Sequence, residues 1–227
     1  MKYEILIFDA DETLFDFKKS EKEAFKNTMH QFNIDYEENY HFTIYHEINV
    51  AIWKEFEQGL ITQEKLKTER FRRFINRLNM CLDEVELAHA YMEHLSNASF
   101  LYEGCEELIK SLSLTYRLCI VTNGLSLVQN KRIRKSGIAK YFDTIVISEE
   151  ISIAKPNPAI FEYALEQMQY SDKNKVLVIG DSLSSDIRGG ANYGADTCWY
   201  NPKQLKNDTL LNPTYEVADY TALKALL

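Results

Sequence analysis

YEILIFDADETLF, residues 3–15, decides how the chain is read. An almost unbroken apolar run, Tyr3–Phe8, stops at Asp9, and Asp11 follows two residues later. Continuous rather than alternating apolar character predicts a strand covered on both faces, as in a parallel sheet. Four later runs have the same character: Arg117–Val121, Thr144–Ile147, Lys175–Ile179 and Thr197–Tyr200. Helical spacing lies between them. Cys105, Leu108, Ile109 and Leu112 form one stripe; Ile160, Phe161, Ala164, Leu165 and Met168 form another. Strands alternating with helices predict an α/β core with a doubly wound parallel sheet.

Residues 16–97 read differently. They hold one glycine, Gly59, no proline, all five histidines and no convincing strand run. Phe71, Phe74, Ile75 and Leu78 follow helical spacing. The expected organisation is a core from 1–15 and 98–227, with an all-helical cap, 16–97, inserted after the first strand. A length of 227 residues suits one sizeable core plus such an insertion. Hydrophobic residues at 45% and charged residues at 26% exclude a disordered or low-complexity chain. The net charge of −8 argues against long nucleic acid as a partner. No apolar run approaches the ~18 residues that would span a bilayer, and the N-terminus lacks the apolar region and cleavage site of a signal peptide. A soluble, cytoplasmic monomer or dimer with reduced thiols is expected. No C-x-x-C motif occurs, and Cys119 falls inside a strand run, which makes it a core residue. His41/His46 and His89/His94 are each five apart, missing the spacing that would place two ligands on one helical face, so no zinc site is expected.

Four local signals carry chemistry. Asp9 and Asp11 stand where an open α/β sheet binds ligands, beyond the carboxyl end of a strand. One carboxylate there can bind a hard cation and attack, and the other can move protons. Thr122, Asn123 and Gly124 end the second run; their hydroxyl and backbone N–H groups can face an anion, although the same residues make an ordinary strand-to-helix turn. Lys155, in IAKPNP, can neutralise phosphoryl charge or simply be solvated. Asp181 ends the fourth strand and Asp186 opens the next helix; they can hold Mg2+ or serve as turn and helix-start acids. Gly189 and Gly190 allow a helix to approach the sheet closely.

All four signals sit at the carboxyl end of a predicted strand or in the loop after one, and can converge on one crevice. With DADET, TNG, K-P and GDSLSSD in that order, the chain resembles the haloacid dehalogenase-like superfamily of phosphohydrolases, over essentially its whole length. DADETLF, ISEEISIAKPNPAIFEYALEQ and GADTCWYN look most similar to its 5′-nucleotidases acting on pyrimidine monophosphates. The resemblance implies a cap between the first and second motifs and a Mg2+-dependent phosphomonoester hydrolase. Asp9 matches the nucleophile that becomes an aspartyl-phosphate, and Asp11 the general acid, then base, whose main-chain carbonyl also binds metal. Thr122 and the Asn123 backbone match the donors to phosphoryl oxygens, and Lys155 the charge stabiliser. Asp181 matches a direct Mg2+ ligand. Asp186 matches a partner of metal-bound water or of Lys155. Many members carry glycine where Glu12 stands; the nucleotidase-like subgroup shares the glutamate.

Related chemistries compete. Dehalogenases of this fold need no metal and lack the second aspartate, so Asp11 and Asp181 favour phosphoryl transfer. A phosphonate-cleaving enzyme would need a Schiff-base lysine from the cap, where Lys18, Lys19 and Lys22 read as a solvated face. A sugar-phosphate phosphatase or a mutase of β-phosphoglucomutase type would use the same four motifs. An inert binding or regulatory protein would usually lose one of the acids. Specificity is expected from the cap, with Phe15, Phe17, Trp53 and Arg70 as candidate substrate contacts through stacking or oxygen recognition. Arg70, Arg73 and Arg77 also fit a solvated face opposite the Phe71–Leu78 stripe.

Overall fold

The computed structural model describes residues 2–227. The chain divides into two compact units, Met1–Phe17 with Phe100–Leu227, and Lys18–Ser99. The division falls two residues beyond the junctions read from the sequence pattern.

The first unit is built on six parallel strands: β1 (Ile5–Phe8), β2 (Arg117–Thr122), β3 (Thr144–Ile147), β4 (Val176–Gly180), β5 (Asp196–Tyr200) and β6 (Tyr215–Val217). Their order is β3-β2-β1-β4-β5-β6. The continuous apolar runs serve two cores at once. Leu6 and Phe8 of β1 join Leu118, Ile120, Leu177 and Ile179 in one cluster, while Ile5 and Ile7 join Cys119, Val121, Val176 and Val178 in the other. Successive side chains point to opposite faces, so both faces demand apolar cover. One face is packed by Cys105, Leu108, Ile109 and Leu112, the other by Ile160, Phe161, Ala164, Leu165 and Met168. The sixth strand was absent from the sequence reading. It is three residues long, lies at the sheet edge, and exposes its central Glu216, so it lacks an apolar run.

The second unit holds most of α1 (Phe17–Gln31) and all of α2 (Thr43–Glu57), α3 (Gln63–Leu78) and α4 (Glu84–Asn97). Its core is aromatic. The Phe25 and Tyr45 rings stack at 4.3 Å, Tyr45 stacks on Phe71 at 5.4 Å, and Phe74 meets Phe25 edge-on at 5.3 Å. Asn79 closes α3 with a left-handed backbone, φ 50°, and Asp83 caps α4 by accepting from Val85 and Glu86 N–H. Cys105, Cys119 and Cys198 are buried thiols; Cys81 is exposed, because it falls in the short link between α3 and α4. No helix among the described residues is long and apolar enough to cross a membrane.

Candidate active site

The chain runs from β1 outward through β2 and β3, then returns to the other side of β1 with β4 and continues through β5 and β6. The switch in direction opens a crevice beyond the carboxyl ends of β1 and β4. Phe8 pairs with Ile179 in register, and the Asp9 N–H donates to the Ile179 carbonyl at 2.8 Å. Asp9 is thus fixed as a continuation of β1, beside the residues that lead to Asp181.

Lys155 organises the site. Its buried Nζ donates to Asp9 Oδ1 at 2.6 Å, to Asp186 Oδ1 at 2.7 Å and to the Val121 carbonyl at 2.7 Å. Three acceptors for three ammonium hydrogens leave the buried cation fully satisfied. Burial works against its charge, but the Asp186 and Asp9 carboxylates outweigh that and raise its pKa above the ordinary lysine value. Asn123 holds the backbone of the same residue in a two-point clamp: Lys155 N–H donates to Asn123 Oδ1 at 2.8 Å, and Asn123 Nδ2 donates to the Lys155 carbonyl at 2.9 Å. The Asn123 side chain is therefore committed to Lys155, and a ligand in the crevice would meet the Asn123 backbone.

Asp186 lies in a π-helical turn, Leu183–Ile187, ahead of the helix Arg188–Tyr193. Its second oxygen accepts from the Ser182 N–H at 3.0 Å. Both of its oxygens have protein partners, which fits the role of Lys155 partner better than that of a direct metal ligand. Gly180 makes this possible, since a Cβ there would stand 2.3–2.6 Å from the Asp186 side chain. Trp199 fixes the neighbouring backbone by donating from Nε1 to the Asp181 carbonyl at 2.8 Å.

Asp9, Asp181 and Asp186 each bring a carboxylate oxygen within 4.8 Å of the others. Burial pushes the Asp9 carboxyl up to about 7, with Lys155 opposing and the charges of Asp186 and Asp11 adding to the rise. Asp181 is held well above the usual carboxylate range by burial and by Asp9, Asp186 and Glu12. An all-oxygen, carboxylate-rich set whose members repel one another fits a small, hard divalent cation.

Asp11 is held by two residues the sequence reading did not single out. Arg132 Nη1 donates to Asp11 Oδ1 at 2.8 Å, and Gln129 Nε2 donates to Asp11 Oδ2 at 2.7 Å. Gln129 Nε2 also donates to Thr122 Oγ1 at 3.1 Å. Both come from the helix Ser126–Arg132. Leu125, Val128, Gln129 and Arg132 follow core-facing helical spacing, so a glutamine and an arginine at buried positions were the available signal. Glu12 takes φ 61°, the left-handed region that favours glycine, and its carboxylate pairs with Lys203 at 3.2 Å.

The crevice thus gathers Asp9, Asp11, Thr122, Asn123, Lys155, Asp181 and Asp186. The other candidates have partners of their own. Phe15 is fully buried, and the Phe17 ring lies 5.2 Å from the Arg132 guanidinium carbon. Trp53 is half-buried against Phe56 in the helical unit. Arg70 is not on a solvated face: it is 2% exposed, donates to Asn49 Oδ1 and packs on the Tyr91 ring. Arg77 is exposed, and Arg73 forms a bidentate pair with Glu55.

Fold and site together define an α/β protein whose buried acids and lysine gather beyond the carboxyl ends of a parallel sheet. The sequence model for haloacid dehalogenase-like hydrolases matches residues 6–200. The chain is 35% identical over 230 residues to the pyrimidine 5′-nucleotidase YjjG of Escherichia coli, covering 100% of this chain and 99% of that one. It is 36% identical over 224 residues to the pyrimidine 5′-nucleotidase PynA of Streptococcus pneumoniae, covering 98% and 94%. The structure of YfnB from Bacillus subtilis, solved bound to magnesium, matches with a TM-score of 0.94 at 34% identity, covering 100% and 99%. The chain belongs to the haloacid dehalogenase-like hydrolase family.

Proposed function

We propose that the protein is a Mg2+-dependent phosphomonoester hydrolase acting through an aspartyl-phosphate on Asp9, with pyrimidine nucleoside 5′-monophosphates as preferred substrates. The observation that carries the reaction is the Asp9 carboxylate at the end of β1, gripped by Lys155 at 2.6 Å with Asp11 two residues beyond. The substrate class rests on the two pyrimidine 5′-nucleotidases matched over nearly their full lengths.

Asp9 and Asp181, with the Asp11 main-chain carbonyl, would hold the cation, and Asp186 would keep Lys155 in place. When bound, Mg2+ offsets the repulsion between an anionic phosphate and the carboxylates and neutralises charge on the transferring group. An Asp9 oxygen attacks phosphorus while the bond to the leaving oxygen breaks. Asp11 gives that oxygen a proton, releasing the alcohol. Asp11, now a carboxylate, takes a proton from water as its oxygen attacks phosphorus, and the bond to Asp9 breaks to free phosphate. Thr122 and the Asn123 backbone face the phosphoryl oxygens, and Lys155 stabilises the charge that develops there.

A panel of nucleoside and sugar monophosphates with p-nitrophenyl phosphate, assayed with Mg2+ and again with excess EDTA, tests this reading. Pyrimidine monophosphates are expected to be best, with turnover lost in EDTA. Asp9→Asn is expected to abolish both turnover and covalent labelling by radioactive phosphate. Preference for purine nucleotides or hexose phosphates would overturn the substrate assignment alone; labelling of the Asp9→Asn protein would overturn the mechanism.

A further inference from the structure

We infer that Gln129 and Arg132 are positioning residues for Asp11, locking the carboxylate that serves proton transfer to the same amide that sets the Thr122 hydroxyl. This inference rests on Asp11 being the proton donor in the mechanism above. Arg132 is completely buried, a costly place for a guanidinium without a specific partner. Its Nη1 reaches Asp11 Oδ1 at 2.8 Å and Gln129 Oε1 at 3.1 Å. A guanidinium can only donate, so it fixes which end of the Gln129 amide is the oxygen. The Nε2 end must then face the other way, and there it donates to both Asp11 Oδ2 and Thr122 Oγ1.

Each Asp11 oxygen is thereby held by a different side chain, which sets the plane of the carboxylate as well as its place. Thr122 Oγ1 already accepts from Gln129, so its own hydrogen is left to point to another acceptor. Phe15 and Phe17 place their rings 5.6 and 5.2 Å from the Arg132 guanidinium carbon and add cation–π restraint to it. Gly124 completes the device. A Cβ there would lie 2.3 Å from Gln129 Nε2, so the glycine of the TNG motif opens the path by which the amide reaches Asp11.

Proton donation matters in proportion to how poor the leaving group is. An alkoxide needs its proton, whereas p-nitrophenolate leaves without one. Because kcat/KM reports steps through cleavage of the leaving-group bond, the ratio of kcat/KM for UMP to that for p-nitrophenyl phosphate isolates Asp11 function. Full-length Arg132→Met, Arg132→Lys, Gln129→Met and Asp11→Asn are compared with wild type in Mg2+. The ratio is expected to fall about tenfold or more in Asp11→Asn, Arg132→Met and Gln129→Met, and to recover in part in Arg132→Lys. Equal losses on both substrates in the Gln129 and Arg132 variants, or no loss, while Asp11→Asn is selective, would overturn this inference and leave the mechanism standing. An unselective Asp11→Asn would overturn both. Gln129→Met carries the test should Arg132→Met not fold, since methionine keeps the buried volume while removing both donors.

Discussion

Gly180 shows how far a single missing atom reaches into this site. A Cβ at that position would press within 2.3–2.6 Å of Asp186, contacting its Cβ and carboxylate rather than a flexible tip. Gly180→Ala must therefore displace Asp186 from its 2.7 Å bond to Lys155, and Lys155 in turn sets Asp9. A shift of about 1 Å in such a chain costs on the order of a hundredfold in turnover, and overpacking costs about 1–3 kcal/mol in stability. Steady-state kinetics beside a urea titration will check this; a variant with wild-type kcat would show that Asp186 does not position Lys155. Asp9, Asp11, Thr122, Lys155, Asp181 and Asp186 were legible in the sequence, because each stands at a strand end or in the segment that follows one, next to distinctive neighbours. Gln129 and Arg132 were not, because they lie on a helix face and become meaningful only when that face is known to turn inward on Asp11. Arg70 misled for the opposite reason: its neighbours Arg73 and Arg77 suggest a charged face, but Arg70 itself turns into the aromatic interior of the helical unit.

At the scale of elements, the sheet was readable because each central strand must be apolar on both faces. β6 escaped because an edge strand of three residues is held mainly by backbone pairing with β5, which leaves little trace in side-chain pattern. The glycine pair after Asp186 was readable in kind, and the structure separates its two members. A Cβ on Gly189 would meet the Phe161 ring at 2.9 Å and the Pro156 backbone at 3.2 Å, whereas one on Gly190 would meet Thr197 at 2.7 Å and Val178 Cβ at 3.0 Å. Gly190 is thus where the helix Arg188–Tyr193 touches strands β4 and β5. Gly190→Ala is expected to lift that helix from the sheet and destabilise the protein by about 1–3 kcal/mol, read as a lower urea midpoint with an unchanged slope. An unchanged midpoint would mean that the helix slides at no cost and that the close approach does not constrain the fold.

For the whole molecule, a net charge of −8 sits uneasily with an anionic substrate only if charge is treated as uniform. It is local that matters. Asp9, Asp181 and Asp186 crowd their oxygens within 4.8 Å; burial and the Asp186 charge raise the pKa of both Asp9 and Asp181, and the Asp9 charge raises that of Asp181 further. Carboxylates held this close oppose one another's ionisation, a cost that a bound divalent cation would offset. Asp181→Asn removes one of the repelling charges. Without metal, this variant is expected to melt at or above the wild-type temperature. Added Mg2+ is expected to separate the two proteins. Any ligand that binds the native state alone stabilises it by mass action, about 2.7 kcal/mol at one hundred times its Kd. That is a rise of several degrees for wild type, at roughly 2–4 °C per kcal/mol in a chain of this size. Asp181→Asn should lose most of the rise. Calorimetric scans of both proteins in EDTA and in excess Mg2+ provide the measurement, independent of any substrate. An Asn variant that melts well below wild type in EDTA, or that keeps the full Mg2+ shift, would show that Asp181 is a structural acid and that the cation is held elsewhere.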